Sequence, residues 1–153
     1  MLNVALVRLR SSAQPRPARY VFESSEVRAD ADKLVIVLWS AGPEHPALAA
    51  APFVYALAAR ALEVDVDMHF TSSTVRWLLP GVADAAHTDS ERTKTVGDFI
   101  REVKAAGVRL FACGMAMHEH ARNQMLIEEC DGHAGAATVV SETMRGRTRT
   151  MIF

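Results

Sequence analysis

Leu34-Val35-Ile36-Val37-Leu38-Trp39 is six apolar residues in a row, set between Asp32-Lys33 and the loop Ser40-Ala41-Gly42-Pro43-Glu44-His45-Pro46. A run this short is a poor length for a helix, and its lack of polar alternation leaves neither face for water. It reads as a central strand of a parallel sheet, and the rest of the chain must then supply a cover for each face.

The following text fits that demand. Alanine and leucine dominate to Leu62, and Pro52, tolerable only near a helix start or at a break, predicts a helix over Pro52 to Leu62. That helix is apolar nearly all round, so a second subunit as well as the sheet can cover it. Val64-Asp65-Val66-Asp67-Met68-His69-Phe70 alternates and reads as a second strand, with Thr71-Ser72-Ser73 placed to cap a short helix that Pro80-Gly81 ends. Ala83 to Arg92 reads as an irregular, polar, mobile loop. Val96, Phe99, Ile100 and Val103 mark one face of a helix that Gly107 terminates, and Val108 to Ala112 forms a third strand. Met117 to Glu129 has Met117, Ala121 and Met125 at helical spacing and is expected to be helical. Ala136 to Val140 and Thr148 to Phe153 are expected to be strands. Strands separated by helices predict an α/β fold with right-handed crossovers and helices on both faces of the sheet.

The chain of 153 residues suits one domain, and its net charge of -1 gives no electrostatic case for nucleic acid or an anionic membrane surface. No run reaches the roughly 18 apolar residues of a membrane span, two cysteines make no disulfide framework, and the N-terminus lacks the pattern of a signal peptide. A reducing cytoplasm is the expected setting. Residues 1–32 differ from the remainder: the turn-rich Ser11 to Pro17 and Glu23 to Glu26 frame two β-prone pieces, Val4 to Leu9 and Tyr20 to Phe22. They read as an N-terminal extension to a domain over 33–153.

Cys113 carries the chemistry. It ends the third strand and is followed by Gly114, and ligands of open α/β sheets gather outside the carboxyl ends of the strands. Free amides at the start of the next helix would favour its thiolate. The plain alternative is a thiol that fills an apolar gap. Lone glycines make no dinucleotide fingerprint, P-loop or nucleophile elbow, so no cofactor is expected, and Cys113 has no Cys-x-x-Cys partner. A lone thiolate suits a carrier, because it can take a sulfane sulfur and pass it on by attack at sulfur. Cys130, among Glu128, Glu129 and Asp131 near an expected helix end, is a poor resolving thiol.

Other groups extend this reading. A protonated His118 would stabilise the Cys113 thiolate, His69 falls at the carboxyl end of the second strand, and Ser40 and Gly42 lie in the loop after the first. Cys113 with His118 and His120 is instead a donor set for zinc or copper, provided that the helix begins after both histidines. A non-catalytic assembly module with a packed Cys113 is the third reading.

Leu34 to Ser40 followed by Gly42-Pro43-Glu44, the Ala-rich helix with Pro52-Phe53, Ala106-Gly107-Val108 to Cys113-Gly114, and Gly135-Ala136-Ala137-Thr138 together resemble the DsrE/DsrF-like family over roughly Lys33 to Phe153. The resemblance implies a three-layer α/β/α sandwich with a mainly parallel five-stranded sheet, often assembled as trimers or hexamers. It also implies that some members carry sulfur as a persulfide on one cysteine, at the position that Cys113 matches, with protein sulfur donors and acceptors. Gly114 to His120 departs from the segment found in the established carriers.

Overall fold

The computed structural model describes residues 30–122 and 124–153. The β-prone pieces at 4–9 and 20–22 lie outside the described residues. Among the described residues, five strands form one sheet in the order β4-β3-β2-β1-β5: β1 Lys33–Leu38, β2 Asp65–Phe70, β3 Arg109–Cys113, β4 Gly132–Ala134 and β5 Thr148–Ile152. Every pairing is parallel. The α/β sandwich expected from the sequence is present, and the sheet is wholly parallel.

Helices α1 (Pro46–Ala61) and α3 (Val96–Ala105) pack side by side on one face of the sheet, joined by a 3-10 helix (Ser72–Leu78), the short α2 (Val82–Ala85) and α4 (Gly114–His120) at its rim. Leu34, Ile36, Leu38, Val66, Met68, Phe70, Leu110 and Ala112 point into this side and are all buried against Phe53, Phe99, Ile100 and Val103. The other face receives α5 (Ala136–Thr143). Among the described residues, no helix is long and apolar enough to cross a membrane.

Local chemistry explains most boundaries. Pro46 sits in the first turn of α1, where its missing N–H is harmless, so this helix begins six residues before the expected Pro52. Pro52 is tolerated inside the helix because the carbonyl it leaves without a donor belongs to the exposed Leu48. At α3, Thr95 and Asp98 form a reciprocal capping box. Hydrogen bonds from the Thr95 backbone and hydroxyl hold the Asp98 carboxyl down at about 2. Gly107, at φ 83°, turns the chain from α3 into β3, as its place in the sequence suggests.

Three expectations need correction. The segment 83–92 is not wholly irregular: α2 occupies its start, and His87 bridges to Thr95. The helix expected over Met117 to Glu129 begins at Gly114 and ends at His120. Met117 and Ala121 are buried as the spacing requires, but Met125 is exposed and Arg122 takes a left-handed φ of 48°. Ile127 and Asp131 then donate their amides to the carbonyls of Leu78 and Leu110, which tertiary packing offers and sequence periodicity cannot reveal. Cys130 therefore lies in a loop rather than at a helix end. Finally, Ala136 to Val140 is helix, not strand; the fourth strand is the three residues Gly132–Ala134 just before it. β-Branched composition gives way here because the segment serves as the cover of a sheet face rather than as a part of the sheet.

Candidate functional site

In-register parallel pairs point to the same face, so the register fixes which side chains meet opposite α5. Val35 aligns with Asp67 and Asp67 with Arg109; one row further along, Val37 aligns with His69 and His69 with Phe111; at the strand ends, Cys113 aligns with Ala134. Along this face the chemistry changes from a charged cluster at the amino ends of the strands, through the His69 imidazole stacked on the Phe111 ring, to the thiol at the carboxyl end. A cleft of about 160 Å³ opens there, lined by Val37, Trp39, His69 and Cys113 from the sheet side and by Ala136, Val139 and Val140 from α5.

The charged cluster is closed and balanced. Arg109 donates from Nε and Nη2 to the two oxygens of Asp67, each at 2.7 Å. Lys33 Nζ lies 2.6 Å from Asp67 Oδ2 and donates to Glu142 Oε1 at 3.1 Å, while Glu142 Oε2 lies 3.2 Å from His69 Nε2. Asp67 is 1% exposed and His69 4%. Two carboxylates face two cations, which is how buried charges persist. Asp67, His69 and Glu142 also bring donor atoms within 4.8 Å of one another. A metal there would have to displace the Lys33 ammonium, which already pairs with both carboxylates, so the donor set fits an ion-pair network better than a cation site.

Burial pushes the His69 imidazole below its ordinary range, against the opposing pull of Glu142. Its Nδ1 is buried and has no hydrogen-bond partner among the described residues. Buried polar nitrogens normally have one, so this atom calls for explanation.

The other sequence candidates fall elsewhere. Cys113 is half-buried at the end of β3 and is the N-cap residue of α4. Gly114 and His118 are exposed on α4 and border a separate shallow hollow with Met115 and Glu119. Ser40 is exposed and donates its amide to Phe153 O at 3.0 Å. Gly42 is buried against the 3-10 helix, where a Cβ would collide with the Ser73 hydroxyl. Among the described residues, Cys113, His118 and His120 do not form a donor group, because the helix begins at Gly114, before both histidines. Burial raises the Cys130 thiol, which donates to the Leu110 and Gly132 carbonyls.

Sequence reasoning did not find Glu142, Lys33, Asp67 or Arg109. The alternation of Asp65, Asp67 and His69 on one side of β2 was a usable signal for Asp67. Glu142 had none, since it lies beyond a segment whose composition suggests strand.

The model of the DsrE/DsrF-like family matches residues 33–141. Among solved structures, the chain is similar to the YchN protein from E. coli, at 17% identity with a TM-score of 0.63, over 80% of this chain and 99% of that one. At that identity the likeness speaks for the fold. No curated protein matches.

Proposed function

Because the chain belongs to the DsrE/DsrF-like family, a family linked in general to sulfur transfer, we propose that Cys113 is a sulfur carrier: its thiolate takes a sulfane sulfur as a persulfide and hands it to an acceptor. The observation that carries this reading is the place of the thiol. Cys113 is half-buried, at the carboxyl end of a parallel strand, in the wall of a cleft large enough for a small donor group. A thiol that merely filled a gap would not need open space beside it. Transfer in each direction is attack of a thiolate on sulfur, with a thiolate leaving, so one cysteine suffices and no cofactor is called for. Cys130 plays no part in this step, since burial disfavours its thiolate.

Three further elements belong to the proposal. His69 lines the cleft and the strand-end loops flank it. A homo-oligomer fits the exposed Leu48, Val54 and Tyr55 on the outer side of α1, which a second copy would cover. A reducing compartment, such as the cytoplasm, keeps the thiol free between cycles.

The test is persulfide labelling followed by peptide mapping. Cys113 is expected to gain the mass of one sulfur, and Cys113→Ser to gain none. Equal labelling of the serine variant, or labelling confined to Cys130, removes the proposal.

A further inference from the structure

His69 is 4% exposed, lines the same cleft as Cys113, and leaves Nδ1 without a partner among the described residues. Its other nitrogen, Nε2, meets a Glu142 oxygen whose carboxylate also pairs with Lys33. A carboxylate can only accept, so Nε2 carries the ring hydrogen and Nδ1 keeps its lone pair. Nucleophile, base and orienting carboxylate are the three parts of an activated thiol site, and contacts between the first two are often open until a substrate is enclosed.

The cleft also selects its donor. Lys33 and Arg109 are the cations nearest this face, and both are engaged by Asp67. Among the described residues, no lysine or arginine lines the cleft, whose walls beyond His69, Thr71 and Cys113 are apolar, with Val37, Trp39, Val139 and Val140 the largest. An oxyanion would find no charge there. The volume of about 160 Å³ is close to that of dry cavities of roughly 150 Å³ that hold benzene.

We infer that His69, fixed in its Nε2–H form by Glu142, is the proton acceptor of the cleft, and that the sulfur donor is a small persulfide with an apolar R group, taken up in its neutral RS–SH form. This rests on the carrier reading of Cys113. Cys113 gives its proton to His69 Nδ1 and its thiolate attacks the outer sulfur. A new S–S bond forms at Cys113, the RS–S bond breaks, and the electron pair leaves on RS, which takes the proton back from His69. The sum is Cys-SH plus RS–SH giving Cys-S–SH plus RSH, with no outside oxidant or reductant.

Single-turnover sulfur uptake, read by intact mass, tests this with benzyl persulfide and thiosulfate as probes. Wild-type uptake from benzyl persulfide is expected to exceed that from thiosulfate and to fall on the acid side of pH 6.5 as His69 protonates. The groups facing His69 are Glu142 from α5, Lys33 from β1, Arg109 and Phe111 from β3, and Asp67 from its own strand; the acid fall must therefore vanish in His69→Gln to be assigned to the ring. His69→Gln should lose about 100-fold in rate. Glu142→Gln should lose at least about tenfold, because an amide can donate to Nε2 and move the ring hydrogen onto Nδ1. If His69→Gln does not fold, the wild-type profile and Glu142→Gln decide. A wild-type rate with no acid fall, variants as fast as wild type, or thiosulfate as good a donor overturns the inference while leaving Cys113 as carrier. A wild type that takes sulfur from neither probe overturns both.

Discussion

The two faces of the sheet are built from the same strands and have opposite characters. Facing α1 and α3, every second residue of β1, β2 and β3 is apolar and buried, and Phe53 stacks on Phe99 at 5.9 Å and meets Phe70 at a tilt at 6.3 Å. Facing α5, the intervening positions hold Lys33, Asp67, His69, Arg109 and Cys113 beside Val35, Val37 and Phe111. Helix α5 has no buried residue of its own, whereas α1 has four and α3 five. One face is held by area removed from water and the other by a few directed polar ties. Chemistry can reside on the second because the first supplies the stability that buried charges do not.

That contrast can be broken at its strong side first. Phe53→Ala removes a fully buried ring and is expected to cost about 4 kcal/mol in urea unfolding, with the cleft lost only through global unfolding. A cost below about 1 kcal/mol would mean that the apolar face does not carry the fold.

On the polar face, Asp67→Asn leaves Lys33 without its nearest carboxylate and breaks the bidentate pair with Arg109. Since the Arg109 side chain is 55% exposed and can return to water, we expect about 2 kcal/mol rather than the full cost of an orphaned buried charge. Glu142→Gln should cost less, about 1 kcal/mol, and act locally. Amide exchange within α5 should speed up while β1 and β2 stay protected. Uniform acceleration through the sheet would show that the two faces are not separable.

The smallest effect concerns pH. Burial lowers the folded pKa of His69 below the unfolded 6.5, so the unfolded chain binds the proton more readily. The stability tied to neutral His69 is therefore complete above 6.5 and declines as pH falls from there through the folded value. Thermal melts between pH 6.5 and about 5 should show this slope in wild type and a flatter one in His69→Gln. Equal slopes would locate the titration elsewhere in the cluster.

Much of the architecture was legible in the sequence. The uninterrupted run at Leu34 to Trp39 called for a doubly covered strand, alternation found β2, and the apolar spacing of Val96, Phe99, Ile100 and Val103 with Gly107 delimited α3. The strand-end position of Cys113 was equally readable, since a short apolar run followed by glycine marks where a strand gives way to a loop. Where reading failed, at Gly114 to Cys130 and at Ala136 to Thr143, the outcome depended on partners far along the chain: the carbonyls of Leu78 and Leu110 in one case, a sheet face needing cover in the other.

The sequence by itself determined the periodicities, and with them the parallel sheet, its apolar face and the thiol at the end of β3, because alternation and helix spacing act over a few residues. Only the tertiary structure decided what stands beside that thiol. His69 is 44 positions before Cys113 and 73 before Glu142, and lies on the Cys113 face only through the register of β2 with β3. Registers and the docking of α5 are set by packing the whole core at once, so the charged ties of Lys33, Asp67, Arg109 and Glu142 are consequences of the fold that no local pattern records.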